Sequence, residues 1–251
     1  MPPALQMPRR ILHGPRYISC IEYADRLGSA LMYVVAIASQ KGGAGKSTFA
    51  VNLAAQADRD GAPALLIDTD AQGSVTVWRN LRRKRTPLLV PCRAGDLPEV
   101  LEMAREHGGV EWVFIDGPPQ NNEDIAAMMR PATLVLIPTR PAIFDLAAVP
   151  ATIAMARKVQ RPFFVALNAA PPKRGAFNSP MVNDARKSIR EMGAPVWRGA
   201  VAQRAAYVQA LASGEAVTEF EPNGPAAEEM RLLWRDVSQA AEAMSHYQKA
   251  G

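Results

Sequence analysis

Cysteine is nearly absent, with only Cys20 and Cys92 in 251 residues. The two lie far apart and form no metal-ligand spacing, which argues against a disulfide framework and points to a reducing, cytosolic compartment. Long apolar runs are missing too. Stretches such as Val34–Ala38 and Thr133–Ile137 fall far short of the roughly 20 residues a membrane-spanning helix needs. Residues 1–31 hold basic residues and prolines but no continuous apolar stretch followed by a small-residue cleavage site, so they do not read as a secretory signal. They are expected to form a poorly ordered extension ahead of one domain over 32–251. Internal repeats and low-complexity tracts are likewise absent.

What is present is a large apolar fraction, 48% of the chain, arranged in short runs. Runs of strand length recur at Tyr33–Ser39, Ala64–Asp68, Leu88–Pro91, Trp112–Asp116, Thr133–Pro138 and Phe163–Asn168, separated mostly by amphipathic helical stretches. This alternation predicts an α/β fold: a mainly parallel twisted sheet flanked by helices. The runs show no in-out alternation, so both faces of the sheet are expected to be buried. Parallel connectivity brings the strand ends Ser39, Asp68, Asp116 and Asn168 to one edge, where open α/β sheets bind ligands. Helices are predicted near Ser74, over 145–159, and over 224–247, where Met230, Leu233, Trp234 and Val237 have helical spacing.

The chemistry concentrates in Lys41-Gly42-Gly43-Ala44-Gly45-Lys46-Ser47-Thr48. A glycine-rich loop between strand and helix turns backbone amides and a helix N-terminus toward a phosphate. Lys46 is then placed to bridge β and γ phosphates, and the Ser47 hydroxyl to coordinate Mg²⁺, as in a P-loop NTPase. The ordinary G-x-x-x-x-G-K-[ST] pattern is broken, because its first position is Gln40 and a lysine, Lys41, follows. Asp116 closes an apolar strand where a Walker B aspartate holds Mg²⁺ through water. Asp68 and Asp70 bracket Thr69 on a loop at the same edge; Asp70 is the candidate for orienting water and Asp68 for a supporting role. Capping of the helix near Ser74 is the structural alternative for either acid.

These residues resemble the ParA/MinD family of deviant Walker A ATPases. The loop matches KGGxGK[ST][ST], Asp68-Thr69-Asp70-Ala71-Gln72-Gly73-Ser74 is similar to the D-x-D-P-Q-G switch segment with Ala71 in place of proline, and Ile115-Asp116-Gly117-Pro118-Pro119 looks like the family's Walker B. The resemblance is greatest to small, ParF-like partition proteins. It implies ATP and Mg²⁺ as ligands, a homodimer sandwiching ATP with Lys41 reaching the partner's nucleotide, adenine contact by Asn168, DNA binding without sequence preference, and a ParB-like or other cargo adaptor. The stretch before the core is too short for a helix-turn-helix domain, and the C-terminus lacks a basic amphipathic membrane helix. A MinD-like membrane-positioning ATPase and an iron–sulfur or metabolic member of the superfamily are the alternative readings.

Charge supports a polyanion partner. Between Arg157 and Arg204 ten Lys or Arg face only Asp184 and Glu191, a balance of +8 in a chain of net +5, leaving −3 elsewhere. Arg174, Lys187, Arg190, Arg198 and Arg204 are the candidates for DNA phosphate contact, which would associate the ATP form with the nucleoid. No arginine can be placed from sequence beside the γ-phosphate, so slow turnover without a partner is expected.

Overall fold

The structure, a computed structural model, describes residues 31–107, 109–119, 122–173 and 177–250. The expected N-terminal extension, apart from Leu31, lies outside these residues, as do Cys20 and Arg174.

Six parallel strands form one sheet: β1 (Tyr33–Ile37), β2 (Ala64–Asp68), β3 (Leu88–Pro91), β4 (Trp112–Asp116), β5 (Leu134–Thr139) and β6 (Phe163–Leu167), in the order β3-β2-β4-β1-β5-β6. Strands β1, β2, β4 and β5 are buried along their whole length, as continuous apolar runs require when helices cover both faces. On one face Val35, Ile37, Leu66, Phe114 and Leu136 pack against α1 (Lys46–Arg59) and the long C-terminal helix α10 (Pro225–Ala250). Met230, Leu233, Trp234 and Val237 all join that core, and Trp234 meets Trp112 edge-on at 4.7 Å. On the other face Val34, Ile67, Ile115 and Val135 pack against α3 (Leu97–His107), α4 (Asn122–Met129), α6 (Val149–Lys158) and α7 (Pro180–Glu191).

Three short helices complete the site's surroundings: α2 (Ser74–Leu81), α8 (Ala205–Ala212) and α9 (Val217–Phe220). The single helix expected over 145–159 is instead two, α5 (Ile143–Leu146) and α6. Pro150, in the first turn of α6, has no amide hydrogen to continue an earlier helix, so the chain turns at Ala147-Ala148 and restarts.

Register fixes the functional edge. Asp116 lies opposite both Ile37 of β1 and Asp68 of β2, so the phosphate loop leaving β1 runs beside two carboxylates.

Candidate nucleotide site

The loop after β1 turns through Gly43 and Gly45, at φ 71° and 103°, before α1 begins at Lys46. Glycine adopts such angles without steric cost. A cavity of about 590 Å³ opens here, with Gly42, Gly43, Lys46, Ser47, Asp70 and Gln72 in its lining. That volume suits a small-molecule ligand, and the amides at the start of α1 carry the positive end of the helix dipole toward it.

Lys46 is buried, and burial pushes its pKa down while Asp116 and Asp70 oppose that shift. A desolvated ammonium in this position favours an anionic ligand. The Ser47 hydroxyl donates to Asp116 Oδ2 at 2.6 Å. Asp116 Oδ1 is buried with no hydrogen-bond partner among the described residues. Its carboxyl is pushed up to about 7, chiefly by burial, with Asp68 and Asp70 adding to the shift and Ser47 and Lys46 opposing it. An orphaned buried carboxylate oxygen beside a serine hydroxyl fits Mg²⁺, which keeps several waters and takes few protein ligands. Among the described residues no cluster of three or more His, Cys, Asp or Glu offers an all-protein metal cage.

The two switch acids differ in what they touch. Asp68 Oδ2 accepts from the Thr76 amide (3.0 Å) and hydroxyl (2.8 Å), and Oδ1 accepts from the Asp70 amide at 3.2 Å. Asp68 thus holds the first turn of α2 from the end of β2, satisfying a helix-terminal amide. Asp70 lines the cavity and accepts from the Gln72 amide at 3.0 Å. Between them Thr69 donates twice to the Asp116 carbonyl, from its amide at 3.0 Å and its hydroxyl at 2.8 Å.

Asn168 reaches the loop from the end of β6, its Nδ2 donating to the Ala44 carbonyl at 2.8 Å. This leaves the acceptor Oδ1 of the amide for a donor such as an adenine amino group. Lys41 is half-buried, and its ammonium has no partner among the described residues.

The family model for the CobQ/CobB/MinD/ParA nucleotide binding domain matches residues 35–217. The chain belongs to this MinD/ParA family. Maintenance of carboxysome distribution protein A from Gloeobacter kilaueensis is 31% identical over 208 residues, covering 82% of this chain and 92% of that protein. Chromosome-partitioning ATPase Soj from Thermus thermophilus is 25% identical, covering 86% and 97%. The solved complex of a Cyanothece McdA aspartate-to-alanine variant with ATP superposes with a TM-score of 0.69 at 19% identity, covering 84% and 96%.

Outside the nucleotide site, this MinD/ParA domain divides its basic candidates. Arg190 and Arg198 are exposed, with no side-chain partner among the described residues, and exposed Lys187 lies 3.9 Å from Glu191. Arg204 forms a 2.7 Å ion pair with Glu229, so its charge is largely neutralised within the chain. Cys92 is half-buried with its thiol pushed up to about 12, mainly by burial, which makes it a poor thiolate donor.

Three contributors were not read from the sequence. Thr69 donates to the Asp116 carbonyl, a partner that the β2–β4 register supplies, and Thr76 donates to Asp68 across the turn that leads into α2. Arg140, at the end of β5, lies over the phosphate loop: its Nη2 is 3.5 Å from where a Cβ on Gly43 would stand. The available signal for Arg140 was its place directly after a strand neighbouring β1.

Proposed function

We propose that this protein is a ParA-type positioning ATPase. ATP with Mg²⁺ joins two copies face to face, and the dimer binds DNA without sequence preference. Hydrolysis, accelerated by a ParB-like or other cargo adaptor, releases it. The cargo is a plasmid, a chromosome or a cellular body. The observation that carries this reading is the Lys41 ammonium, without a partner among the described residues and beside a formed phosphate loop. Such a cation is available to a second nucleotide across a twofold axis.

Within the site, Lys46 and the α1 amides would bind the phosphates, while the Ser47 hydroxyl would coordinate Mg²⁺ and Asp116 would hold it through water. The metal supplies charge neutralisation at the phosphates when bound. Asp70, which lines the same cavity as Ser47, orients a water toward the terminal phosphate. Asp68 holds the helix that follows. Exposed Arg190, Arg198 and Lys187 give the dimer a surface for backbone phosphates. The names of the relatives, which distribute carboxysomes or partition chromosomes, agree with such a role.

Fluorescence anisotropy of a labelled duplex tests the switch. Tight, salt-sensitive binding is expected with ATP and weak binding with ADP or no nucleotide; equal affinity in all three overturns it. Asp70→Ala should retain ATP-dependent DNA binding and lose phosphate release.

A further inference from the structure

Arg140 belongs to no hydrogen bond or ion pair among the described residues through its guanidinium, yet it is not on a remote surface. It follows Thr139, the last residue of β5, and β5 lies next to β1 with Leu136 opposite Ile37. Both strands point their carboxyl ends at the same edge, so the residues leaving them emerge side by side. Gly43 has no side chain to hold the arginine away, and Nη2 stands 3.5 Å from the place a Cβ on Gly43 would occupy. Pro141 follows directly and restricts the backbone of Arg140 to extended conformations, which limits where its side chain can be carried.

The local charge also matters. Asp68, Asp70 and Asp116 stand at this edge against Lys41 and Lys46. With all five ionised, the set is net negative before any nucleotide arrives, which repels a triphosphate. A third cation turns the balance to zero, leaving Mg²⁺ and the loop dipoles to supply the attraction. Guanidinium is suited to that task, since its planar fork can donate two parallel hydrogen bonds to one phosphate.

We infer that Arg140 is a phosphate-binding residue of the nucleotide site, reaching the terminal phosphate of ATP from the same chain. This rests on the nucleotide reading above and adds an arginine to it. Lys46 approaches from the α1 side of the loop and Arg140 from the β5 side, so the γ-phosphate is gripped between them. Binding of ATP is therefore strengthened more than binding of ADP, and the protein senses the nucleotide through β5 as well as through the switch segment.

Isothermal calorimetry with Mg²⁺ and either a non-hydrolysable ATP analogue or ADP tests the assignment, using wild type, Arg140→Ala and Arg140→Lys. Loss of a charged hydrogen bond predicts that Arg140→Ala weakens the ATP analogue about tenfold or more, with ADP changed much less and Arg140→Lys recovering part of the loss. Unchanged analogue affinity in Arg140→Ala overturns the proposal, and an equal loss for both nucleotides overturns the terminal-phosphate contact. Thermal melting of each variant without nucleotide separates binding from folding, since an exposed side chain should leave the melt unmoved. If the wild type itself takes up neither nucleotide, the nucleotide reading fails and this proposal with it. If the wild type binds and the variant matches it, only the Arg140 assignment fails.

Discussion

Gly45 and Asn168 compete for one volume: a Cβ built on Gly45 would stand 1.9 Å from Asn168 Nδ2. The same amide nitrogen donates to the Ala44 carbonyl, so the loop and the end of β6 are fitted together at a single point. Gly45→Ala should disrupt both, adding a left-handed backbone strain of about 1–3 kcal/mol to the displaced asparagine. The expected result is a lowered melting temperature and no calorimetric signal with ATP. Normal binding would show that the loop can rearrange around the methyl group.

Asp116 gives a pH prediction whose sign is set by burial. Its folded-state pKa, about 7 against an ordinary 3.8, lies above the unfolded value. The contribution to stability is therefore fully present below about pH 3.8 and is lost as pH rises through about 7. Asp116→Asn should make the nucleotide-free protein more stable at pH 8 than wild type, measured by thermal melting. The same variant should lose the Mg²⁺ dependence of ATP binding, and wild-type Mg²⁺ affinity should rise with pH across neutrality.

Glu219 behaves in the opposite way. Burial raises its pKa, but hydrogen bonds from Arg82, the Ala216 amide and Lys84 outweigh that and bring it down to about 2 from 4.5. Its stabilisation is present above about pH 4.5 and is lost as pH falls toward 2. Glu219→Gln also leaves the buried Arg82 guanidinium without its countercharge. A loss of about 3 kcal/mol at pH 7 is expected in urea melts, with a flatter acid limb.

Lys41→Ala separates binding from dimerisation. Its ammonium has no hydrogen-bond or ion-pair partner to lose among the described residues, so the monomer should keep its melting temperature and bind ATP within a few-fold of wild type. Light scattering should then find no ATP-driven dimer. A variant that dimerises normally removes Lys41 from the interface.

Much of this was legible because the signals are local. Strand-length apolar runs, the Gly43 and Gly45 turn before Lys46, and the acids at strand ends need only neighbouring residues to be recognised. The break before α6 was missed although Pro150 marks it, because the apolar residues on either side suggested one continuous helix. Other features depend on register or on distant pairs. Arg204 is silenced by Glu229 and Arg82 is held by Glu219, partners 25 and 137 residues away. Asp68 was expected to play a supporting role, and the hydrogen bonds it accepts from Thr76, which brace the first turn of α2, depend on how the switch segment folds back.

Those braces confine the compliance of the switch. Upstream, Thr69 is tied to the Asp116 carbonyl; downstream, α2 is moored at its first turn by Asp68 and just past its end by Arg82, which grips both Glu219 and the Gly214 carbonyl. Gly214 itself can bear no side chain there, because a Cβ would come within 2.5 Å of the Arg82 amide nitrogen. Between these moorings the short arch from Asp70 to Gly73 is held, among the described residues, by its own turn and by the Asp70 amide's bond to Asp68 Oδ1. Any motion that gain or loss of a phosphate provokes along this path is consequently a short stroke, made by a few residues between two fixed piers.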